Sequence, residues 1–300
     1  MKKWRTRIVV TFAVLAVIFF GCLGYAYFVE PAQLVATHAT LTINKWNPAF
    51  DGLKIVMIGD VHGGSNNVTE ESLREVVALA NEQEPDLVVM LGDYVSQERE
   101  NRPLSERSLK MPVATIADNL AGLKAKYGVF VVMGNHDGWY GTDRIAAEFT
   151  RVGYSVLQDQ IATIVKDGQS ICILGMRDHL SLVDSWTTTS AKAKAQVAEC
   201  ADGDLIVLQH SPDIFPVITG PLSISPKLRL MLSAHTHGGQ VTFPFVGSPI
   251  VPSSYGQEYA RGHVREDDVD LFVTSGIGTS VLPVRFGVPP EIAVLTIRSQ

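Results

Sequence analysis

The sequence predicts an α/β fold in which two β-sheets pack face to face with helices outside, preceded by one membrane-spanning helix. Three observations support this prediction. An uncharged apolar run, Ile8 to Val29, stands near the N-terminus. Short apolar runs then alternate with amphipathic segments as far as residue 152. More closely spaced strand candidates follow to the C-terminus. With 300 residues, 46% of them hydrophobic, the chain can form one large domain or two small ones.

The N-terminal run from Ile8 to Val29 has 22 residues, enough to cross a hydrocarbon layer of about 30 Å. A cleaved signal peptide is the alternative, but its apolar core is usually shorter, and Tyr25-Ala26-Tyr27 is a poor cleavage site. A buried core helix is a third interpretation. An uncleaved anchor is favoured. The basic residues of positions 1–7 precede the run, so the positive-inside rule predicts a cytoplasmic N-terminus and an extracytoplasmic domain.

The rest of the chain divides into a connecting segment, residues 30–50, and one domain, residues 51–300. The connecting segment contains a possible strand, Thr40 to Asn44. Amphipathic patterns in the domain predict helices at 69–84, 113–126 and 142–152, and Thr69 with Ser72 can cap the first. Strand candidates lie at 53–58, 87–91, 129–133, 155–157, 161–165, 170–174, 205–208, 228–232, 240–243, 270–274 and 292–297.

Charge and cysteine content exclude some classes of protein. The net charge is −6, and four basic residues among the first seven leave about −10 on the remainder. An acidic body argues against nucleic-acid binding, which needs clustered Lys and Arg. Cys172 and Cys200 can pair in an oxidising compartment, although buried free thiols are an equal alternative. Cys22 is a weak match to a lipoprotein processing site.

Polar residues follow five of the predicted strands at the point where each strand ends. Ligands of open α/β sheets bind beyond the carboxyl ends of the strands, so these residues are expected to share one edge. Each alone has an ordinary alternative, because an aspartate can cap the next helix and a histidine can be a hydrogen-bonded core residue. The set comprises Asp60, His62, Asp93, Asn135, His136, His210, His235 and His237.

The combination of these groups predicts a metal site. Burying them together without cations would cost several kcal/mol each through desolvation and repulsion. Carboxylate, imidazole and amide oxygen without thiolate suit Mn, Fe, Zn, Co or Ni rather than a structural zinc site. The donors exceed the needs of one ion, so two ions that share one carboxylate are the economical interpretation.

The same residues resemble the signature of the calcineurin-like metallophosphoesterases, which reads D-x-H, G-D-x-x-D, G-N-H-D/E, a single H, and G-H-x-H. The blocks occur here in that order, within residues 54–237, as Asp60-Val61-His62, Gly92 to Ser96, Gly134 to Asp137, His210, and Ala234 to His237. The chain is most similar to a bacterial membrane-anchored branch, because HGGQ follows at 237–240 and GIGTSVLPVRFGVPPEI at 276–292.

Two positions depart from the family pattern. Ser96 stands where the second acid of G-D-x-x-D is usual, and Ala234 replaces the glycine of G-H-x-H. Neither departure removes a metal ligand. The change at Ser96 is expected to loosen the support behind Asp93.

The resemblance implies a four-layer αββα sandwich of two mixed sheets and a site with two divalent ions, Mn, Fe, Zn or Ni. One ion would take Asp60, His62 and His237, the other Asn135, His210 and His235, with Asp93 as the bridge. A metal-bridging hydroxide would attack phosphorus, and His136 would protonate the leaving group. Asp137 either orients His136 or caps the following helix.

The resulting hypothesis is a metal-dependent phosphoric ester hydrolase. The resemblance favours a phosphodiester, and the anchor suggests a lipid-linked or envelope substrate. A phosphomonoesterase or phosphoprotein phosphatase is the alternative, and a non-catalytic metal-binding scaffold is a further one. Trp139 either borders the substrate or packs in the core. The segment rich in Pro and Gly, residues 243–262, is either a substrate lid or an irregular surface loop.

Overall fold

The structure is a computed structural model that describes residues 2–181, 186–200, 203–220 and 222–300. The strands are β1 (Val35–Ile43), β2 (Leu53–Ile58), β3 (Leu87–Met90), β4 (Val129–Val131), β5 (Ser155–Val156), β6 (Gln160–Lys166), β7 (Gln169–Gly175), β8 (Asp204–Leu208), β9 (Leu228–Ser233), β10 (Gly262–Glu266), β11 (Val269–Val273) and β12 (Glu291–Ser299). The helices are α1 (Lys2–Gly24), α2 (Glu70–Glu82), α3 (Val113–Leu120), α4 (Asn135–Tyr140), α5 (Thr142–Arg151), α6 (Trp186–Val197) and α7 (Phe215–Thr219).

These strands form two mixed six-stranded sheets. The first has the order β1, β12, β2, β3, β4, β5, and all neighbours are parallel except β12 and β2. The second has the order β10, β11, β9, β8, β7, β6, and only its two edge pairs are antiparallel. The central parallel strands are buried on both faces, which explains why they read as continuous apolar runs.

The core shows how the layers stack. Alternate side chains of β2 face opposite ways, so that Ile55 packs towards the second sheet and Val56 towards the helices. On the far side of the second sheet, Val207 joins a cluster with Phe215 of α7. The order helix, sheet, sheet, helix confirms the predicted four-layer α/β fold. The predicted cap is also confirmed, since the side chains of Thr69 and Ser72 each accept from the other's backbone N–H.

Three local predictions need correction. The strand expected at Thr40–Asn44 is β1, which begins at Val35 and extends the first sheet along β12. The helix expected as far as residue 126 ends at Leu120. The edge strand β10 was not predicted, because its residues are largely exposed or half-buried and lack an apolar face.

The strand expected at residues 240–243 is wrong. Residues 237–240 all have φ between 53° and 78°, so the chain turns where a strand would run straight. Beyond this turn, Val241 and Phe243 form isolated bridges with Phe286 and Gly247. The apolar pattern there reflects packing against the loop around residue 286, which lies far away in the sequence.

The N-terminal helix stands apart from the core. The stretch Lys3–Ala32 is the one helix in the described part of the chain that is long and apolar enough to cross a membrane, and none of its apolar window is buried. Cys22 is exposed on it. Cys172 and Cys200 form a disulfide with Cα atoms 6.2 Å apart, which resolves the pairing that the sequence left open.

Candidate metal centre

The structure brings the polar residues of five strand ends together. Asp60 and His62 follow β2, and Asp93 follows β3. Asn135 begins α4 directly after the strand β4 and its short extension. From the second sheet come His210 after β8, and His235 and His237 after β9. The parallel strands all end at the same edge of the sandwich, so side chains from both sheets meet there.

Two groups of ligand atoms lie side by side at this edge. Asp60, His62 and His237 form the first, with ligand atoms within 4.8 Å of one another, and Asp93, His210 and His235 form the second. The Nε2 atoms of His62 and His237 are 3.2 Å apart, and His235 Nδ1 is 3.1 Å from His210 Nε2. Two ligands of one ion at a bond length of about 2.1 Å stand about 3 Å apart.

Asp93 lies between the two groups. Its Oδ2 is 3.6 Å from His62 Nε2 and 3.3 Å from His210 Nε2. Its Oδ1 accepts from the backbone N–H of His136 at 2.8 Å. Oδ1 therefore forms a hydrogen bond within the protein, and Oδ2 faces both groups of ligand atoms.

The backbone of the site is strained. Asp60, His62, Asp93, His235 and His237 all have φ between 46° and 72°, a region that residues other than glycine rarely adopt. Each such residue costs about 1–3 kcal/mol and persists only where surrounding contacts enforce it. The strand ends thus turn abruptly, and the turns direct the side chains inward.

Several buried polar atoms at the site have no hydrogen-bond partner among the described residues. They include Asp60 Oδ2, Asn135 Oδ1 and His237 Nδ1. An unpaired buried polar atom is unfavourable, and one on a carboxylate is especially so. Asp60 Oδ2 and Asn135 Oδ1 are oxygen donors that Mn, Fe, Zn or Ni accept, so these residues fit divalent ions.

Burial and charge set the protonation of the site. Burial raises the pKa of Asp60 to about 7, and it lowers the pKa of both His62 and His235 to about 3. It also holds the pKa of His237 well below its ordinary value. These imidazoles are neutral near pH 7 and keep a lone pair for a metal.

His210 behaves differently from the other histidines. Burial is the largest single influence and opposes its charge, but the carboxylates of Asp93, Asp60 and Asp178 together outweigh burial and raise the pKa of His210 to about 10. A proton and a metal ion therefore compete for this imidazole. Its Nδ1 lies 2.7 Å from the carbonyl of Leu91, as His62 Nδ1 lies 3.2 Å from that of Val95. Both contacts suit Nδ1–H donation, which leaves Nε2 directed at the site.

Asp137 supports the Asp93 loop and does not contact the His136 ring in any described hydrogen bond. Its fully buried carboxylate accepts from the backbone N–H of Asp93 (2.8 Å), Gly134 (2.9 Å), Tyr94 (2.9 Å) and Val95 (3.4 Å). It thus caps α4 and also clamps the loop that carries Asp93. The loop has Ser96 where the family pattern has its second acid, and the Asp137 carboxylate holds it instead through these backbone hydrogen bonds.

The ring of His136 is oriented by two residues. Its Nδ1 lies 3.2 Å from Gln97 Oε1, and Trp139 packs against the ring with centroids 4.8 Å apart. Gln97 Nε2 also lies 3.4 Å from the His136 carbonyl oxygen. Sequence reasoning missed Gln97. Its position directly after Ser96, in a loop where the family places an acid, was the available signal.

Arg285 is a second residue that sequence reasoning missed. It is fully buried, and its guanidinium donates to the carbonyls of residues 275, 276, 278, 288 and 289. These hydrogen bonds hold the turn that contains Gly276. The turn packs closely against Asp60, because a side chain at Gly276 would lie 2.6 Å from Asp60 Cβ. A lone arginine inside an otherwise apolar run was the available signal.

Tight packing explains the glycines of the signature. A Cβ at Gly134 would lie 2.3 Å from Asp93 Oδ1, so only glycine allows the carboxylate to approach α4. A Cβ at Gly59 would lie 2.6 Å from that of Ala234. The methyl of Ala234 therefore fits because Gly59 faces it, and the departure at this position leaves the ligands in place.

A cavity of about 490 Å³ opens beside the ligands. Asp93, Asn135, His136, His235 and His237 form its polar floor. Its walls are largely apolar and include Trp139, Val241, Pro249, Ile250, Pro252, Val281 and Leu282. Trp139 therefore borders the cavity as well as packing on His136. The Pro- and Gly-rich segment contributes three wall residues, Pro249, Ile250 and Pro252.

Comparison with known proteins agrees with this site. The model of the calcineurin-like phosphoesterase family matches residues 53–239. The uncharacterized metallophosphoesterase YkuE of Bacillus subtilis is 32% identical over 281 residues, which cover 93% of this chain and 91% of the relative. Phosphodiesterase YaeI of Escherichia coli is 29% identical, covering 91% and 92%. A Danio rerio transmembrane protein with metallophosphoesterase domain is 26% identical, covering 95% and 61%.

Proposed function

We propose that this chain, which belongs to the calcineurin-like phosphoesterase family, hydrolyses a phosphodiester at a centre with two divalent ions. Membership makes it a metal-dependent phosphoester hydrolase. The observation that carries the proposal is the position of Asp93 Oδ2, within 3.6 Å of His62 and 3.3 Å of His210. A carboxylate oxygen that faces two separate ligand groups is suited to bridge two ions.

Each proposed ion takes its ligands from one of the two groups of ligand atoms, with Asn135 added to the second group. Asp60, His62 and His237 would hold one ion, and Asn135, His210 and His235 would hold the other. When bound, such ions would neutralise phosphate oxygens and lower the pKa of coordinated water towards 7. Mn, Fe, Zn and Ni all suit this donor set.

His136 is the proposed proton donor to the leaving group. The water loses a proton as its oxygen bonds to phosphorus, the P–O bond to the leaving alcohol breaks, and the proton of His136 passes to that alcohol oxygen; the proton released by the water restores His136 through solvent. The contact of Nδ1 with Gln97 Oε1 leaves Nε2 as the atom that donates. The contact with Trp139 restricts rotation of the ring, and His136 lines the cavity.

A diester is preferred over a monoester because the cavity is large and mainly apolar. A diester carries two organic substituents and one negative charge, so an apolar wall beside the phosphate costs it little. A monoester carries more charge and a single substituent, which suits a smaller and more polar cavity. The phosphodiesterase YaeI, to which this chain is similar over most of its length, supports the same choice.

The test uses the full chain purified in detergent, stripped of metal and reconstituted with Mn, Fe, Zn or Ni. We expect bis(p-nitrophenyl) phosphate to be hydrolysed faster than p-nitrophenyl phosphate. His136→Ala should lower kcat for an alkyl ester about 10²–10⁴-fold. Asp93→Asn should weaken metal binding, measured by calorimetry, because it removes the shared anionic oxygen.

Two exposed residues provide matched controls. His38→Ala on β1 and Asp143→Asn in α5 remove the same chemical groups away from the site and should leave activity within twofold. Absence of activity with every metal, or unchanged activity in both site variants, would refute the proposal. Faster hydrolysis of the monoester would leave the metal centre intact and refute the diester preference.

The proposed location is the membrane, with α1 as a single span, a cytoplasmic N-terminus and an extracytoplasmic catalytic domain. The apolar run Ile8–Val29 within the helix Lys3–Ala32 supports the span, and the basic residues at positions 1–7 before that run support the orientation. The Cys172–Cys200 disulfide agrees with an oxidising compartment. Protease protection in sealed vesicles tests the orientation, and digestion of the domain from the cytoplasmic side would refute it.

A further inference from the structure

The C-terminal end of the N-terminal helix is attached directly to a loop beside the active site. The backbone N–H of Arg285 donates to the Ala26 carbonyl at 3.0 Å, and that of Val288 donates to the buried Glu30 carboxylate at 2.6 Å. Asn66 Nδ2 donates to the carbonyls of both Tyr27 (2.7 Å) and Pro283 (2.8 Å). The helix therefore has a defined position relative to the 281–288 loop.

The residues at this junction mark the level of a membrane surface. Tyr25, Tyr27 and Phe28 stand at the end of the apolar stretch and are 39–72% exposed. Aromatic residues in this position are typical of the interface between hydrocarbon and water. The junction with the 281–288 loop therefore lies at that interface.

Exposed apolar side chains on two loops continue from this junction. We call them the apolar rim: Phe243, Phe245, Val246, Ile250, Val281 and Leu282, which are 44–108% exposed. Ring contacts connect the rim to the helix, since Phe243 packs on Phe286 (5.8 Å between centroids) and Phe286 on Tyr25 (6.3 Å). Residues 240–257 and 271–284 contain no charged side chain.

The most exposed part of the rim is the tip of a tight turn. Two backbone hydrogen bonds between Phe243 and Gly247, at 2.9 and 3.0 Å, close the turn. Phe245 is fully exposed at its tip, beside Val246. A rigid turn that presents a phenylalanine to solvent is unfavourable in water and favourable in a bilayer.

Three rim residues, Ile250, Val281 and Leu282, also line the cavity that contains the ligands. The rim thus connects the membrane level to the metal centre through one apolar surface. We infer that the rim enters the bilayer surface and that the substrate is a lipid phosphodiester, taken directly from the membrane. This inference rests on the proposed function and names its substrate class.

The reaction is a hydrolysis in which water supplies the oxygen. One P–O ester bond of the lipid breaks, His136 protonates the departing alcohol, and a phosphomonoester is the second product. The hydrocarbon chains remain against the rim while the phosphate reaches the ligands. Charged headgroups stay outside the apolar walls.

The test uses the metal-loaded full chain in vesicles of phosphatidylethanolamine, phosphatidylglycerol and cardiolipin. Phosphorus NMR follows the appearance of phosphomonoester, and bis(p-nitrophenyl) phosphate is assayed in parallel. We expect the double variant Phe245→Ser/Val246→Ser to hydrolyse lipid at least tenfold more slowly and the soluble diester at an unchanged rate. Neither residue lines the cavity. Val165→Ser on β6, where the side chain is about as exposed as that of Val246 (63% and 66%), is the control and should change neither rate.

The outcomes separate the two proposals. Hydrolysis of the soluble diester without loss of any lipid overturns the inference and leaves the proposed function standing. No hydrolysis of either substrate overturns the proposed function. Equal lipid hydrolysis by the rim variant and the parent also overturns the inference.

A second measurement does not depend on turnover. Phe245→Trp and Val165→Trp each introduce a fluorophore, and vesicles with brominated acyl chains quench tryptophans that enter the hydrocarbon. The additional fluorescence, relative to the parent chain, should be quenched for Phe245→Trp and unaffected for Val165→Trp. Equal quenching at both positions contradicts insertion of the rim.

Discussion

Replacing Asp137 by asparagine should destabilise the protein strongly although Asp137 is not a proposed metal ligand. Its carboxylate accepts four backbone N–H groups and is completely buried. Asparagine keeps one oxygen and turns the other into an NH₂ group, which would face two of those N–H donors. Water cannot replace the lost acceptor in a site without solvent access.

The structure provides the magnitude. Asp137 Oδ2 accepts from Asp93 at 2.8 Å and Gly134 at 2.9 Å, and Oδ1 accepts from Tyr94 at 2.9 Å and Val95 at 3.4 Å, so either orientation of an asparagine loses two bonds. Burial raises the pKa of Asp137 to about 7, so stability is measured at pH 8, where the carboxylate is charged. A hydrogen bond to a charged acceptor contributes about 1.5–3 kcal/mol, so the loss of two should lower the free energy of unfolding by about 3–6 kcal/mol. Because the Asp93 loop loses its clamp, metal affinity should also fall about 10–100-fold.

Urea unfolding of the full chain in detergent micelles measures the stability, and calorimetric metal titration measures the affinity. Asp143→Asn, at an exposed position in the first turn of α5, is the matched control and should cost less than about 1 kcal/mol. A loss for Asp137→Asn no larger than that of the control would refute the clamp. Unchanged metal affinity would separate Asp137 from the metal centre.

Three further predictions follow from contacts described above. Gln97→Ala should slow hydrolysis of alkyl diesters about tenfold and of nitrophenyl diesters little, because only poor leaving groups need the proton that His136 delivers. An equal decrease for both substrates would contradict the role of Gln97 in orienting the His136 ring. Reduction of the Cys172–Cys200 disulfide, with a sequence separation of 28, should lower the free energy of unfolding in urea by about 3–4 kcal/mol; an unchanged urea midpoint would contradict it. Arg285→Lys should remove at least two buried hydrogen bonds and so lower the free energy of unfolding in urea by about 3–6 kcal/mol. A decrease below about 1 kcal/mol would contradict the role of Arg285 in holding the turn.

Much of the fold was predictable because its signals are local. Continuous apolar runs identified β2, β3, β8 and β9, and periodic apolar residues with a cap identified α2. Errors occurred where distant parts of the chain decide the structure. The apolar residues at 240–243 pack against Phe286, and the edge strand β10 exists because β11 offers it hydrogen bonds.

The candidate site likewise has features that the sequence predicts and features that depend on distant contacts. The ligand types and their positions at strand ends are visible in the sequence, since a parallel sheet brings its carboxyl ends to one edge. The roles of Gln97 and Arg285 are not visible, nor are the hydrogen bonds by which Asp137 holds the Asp93 loop. Each acts through contacts made across loops, and such contacts depend on how the turns after the strands are folded.

The sequence by itself determined the layered α/β class, the apolar N-terminal segment and the residues of the candidate metal centre, because periodicity and residue chemistry are local properties. Only the tertiary structure decided which atoms of those residues face one another, that Asp93 stands between two groups, and that the helix end adjoins the apolar rim. These depend on strand order, on backbone φ values and on contacts between residues as far apart as Ala26 and Arg285, which no local pattern encodes.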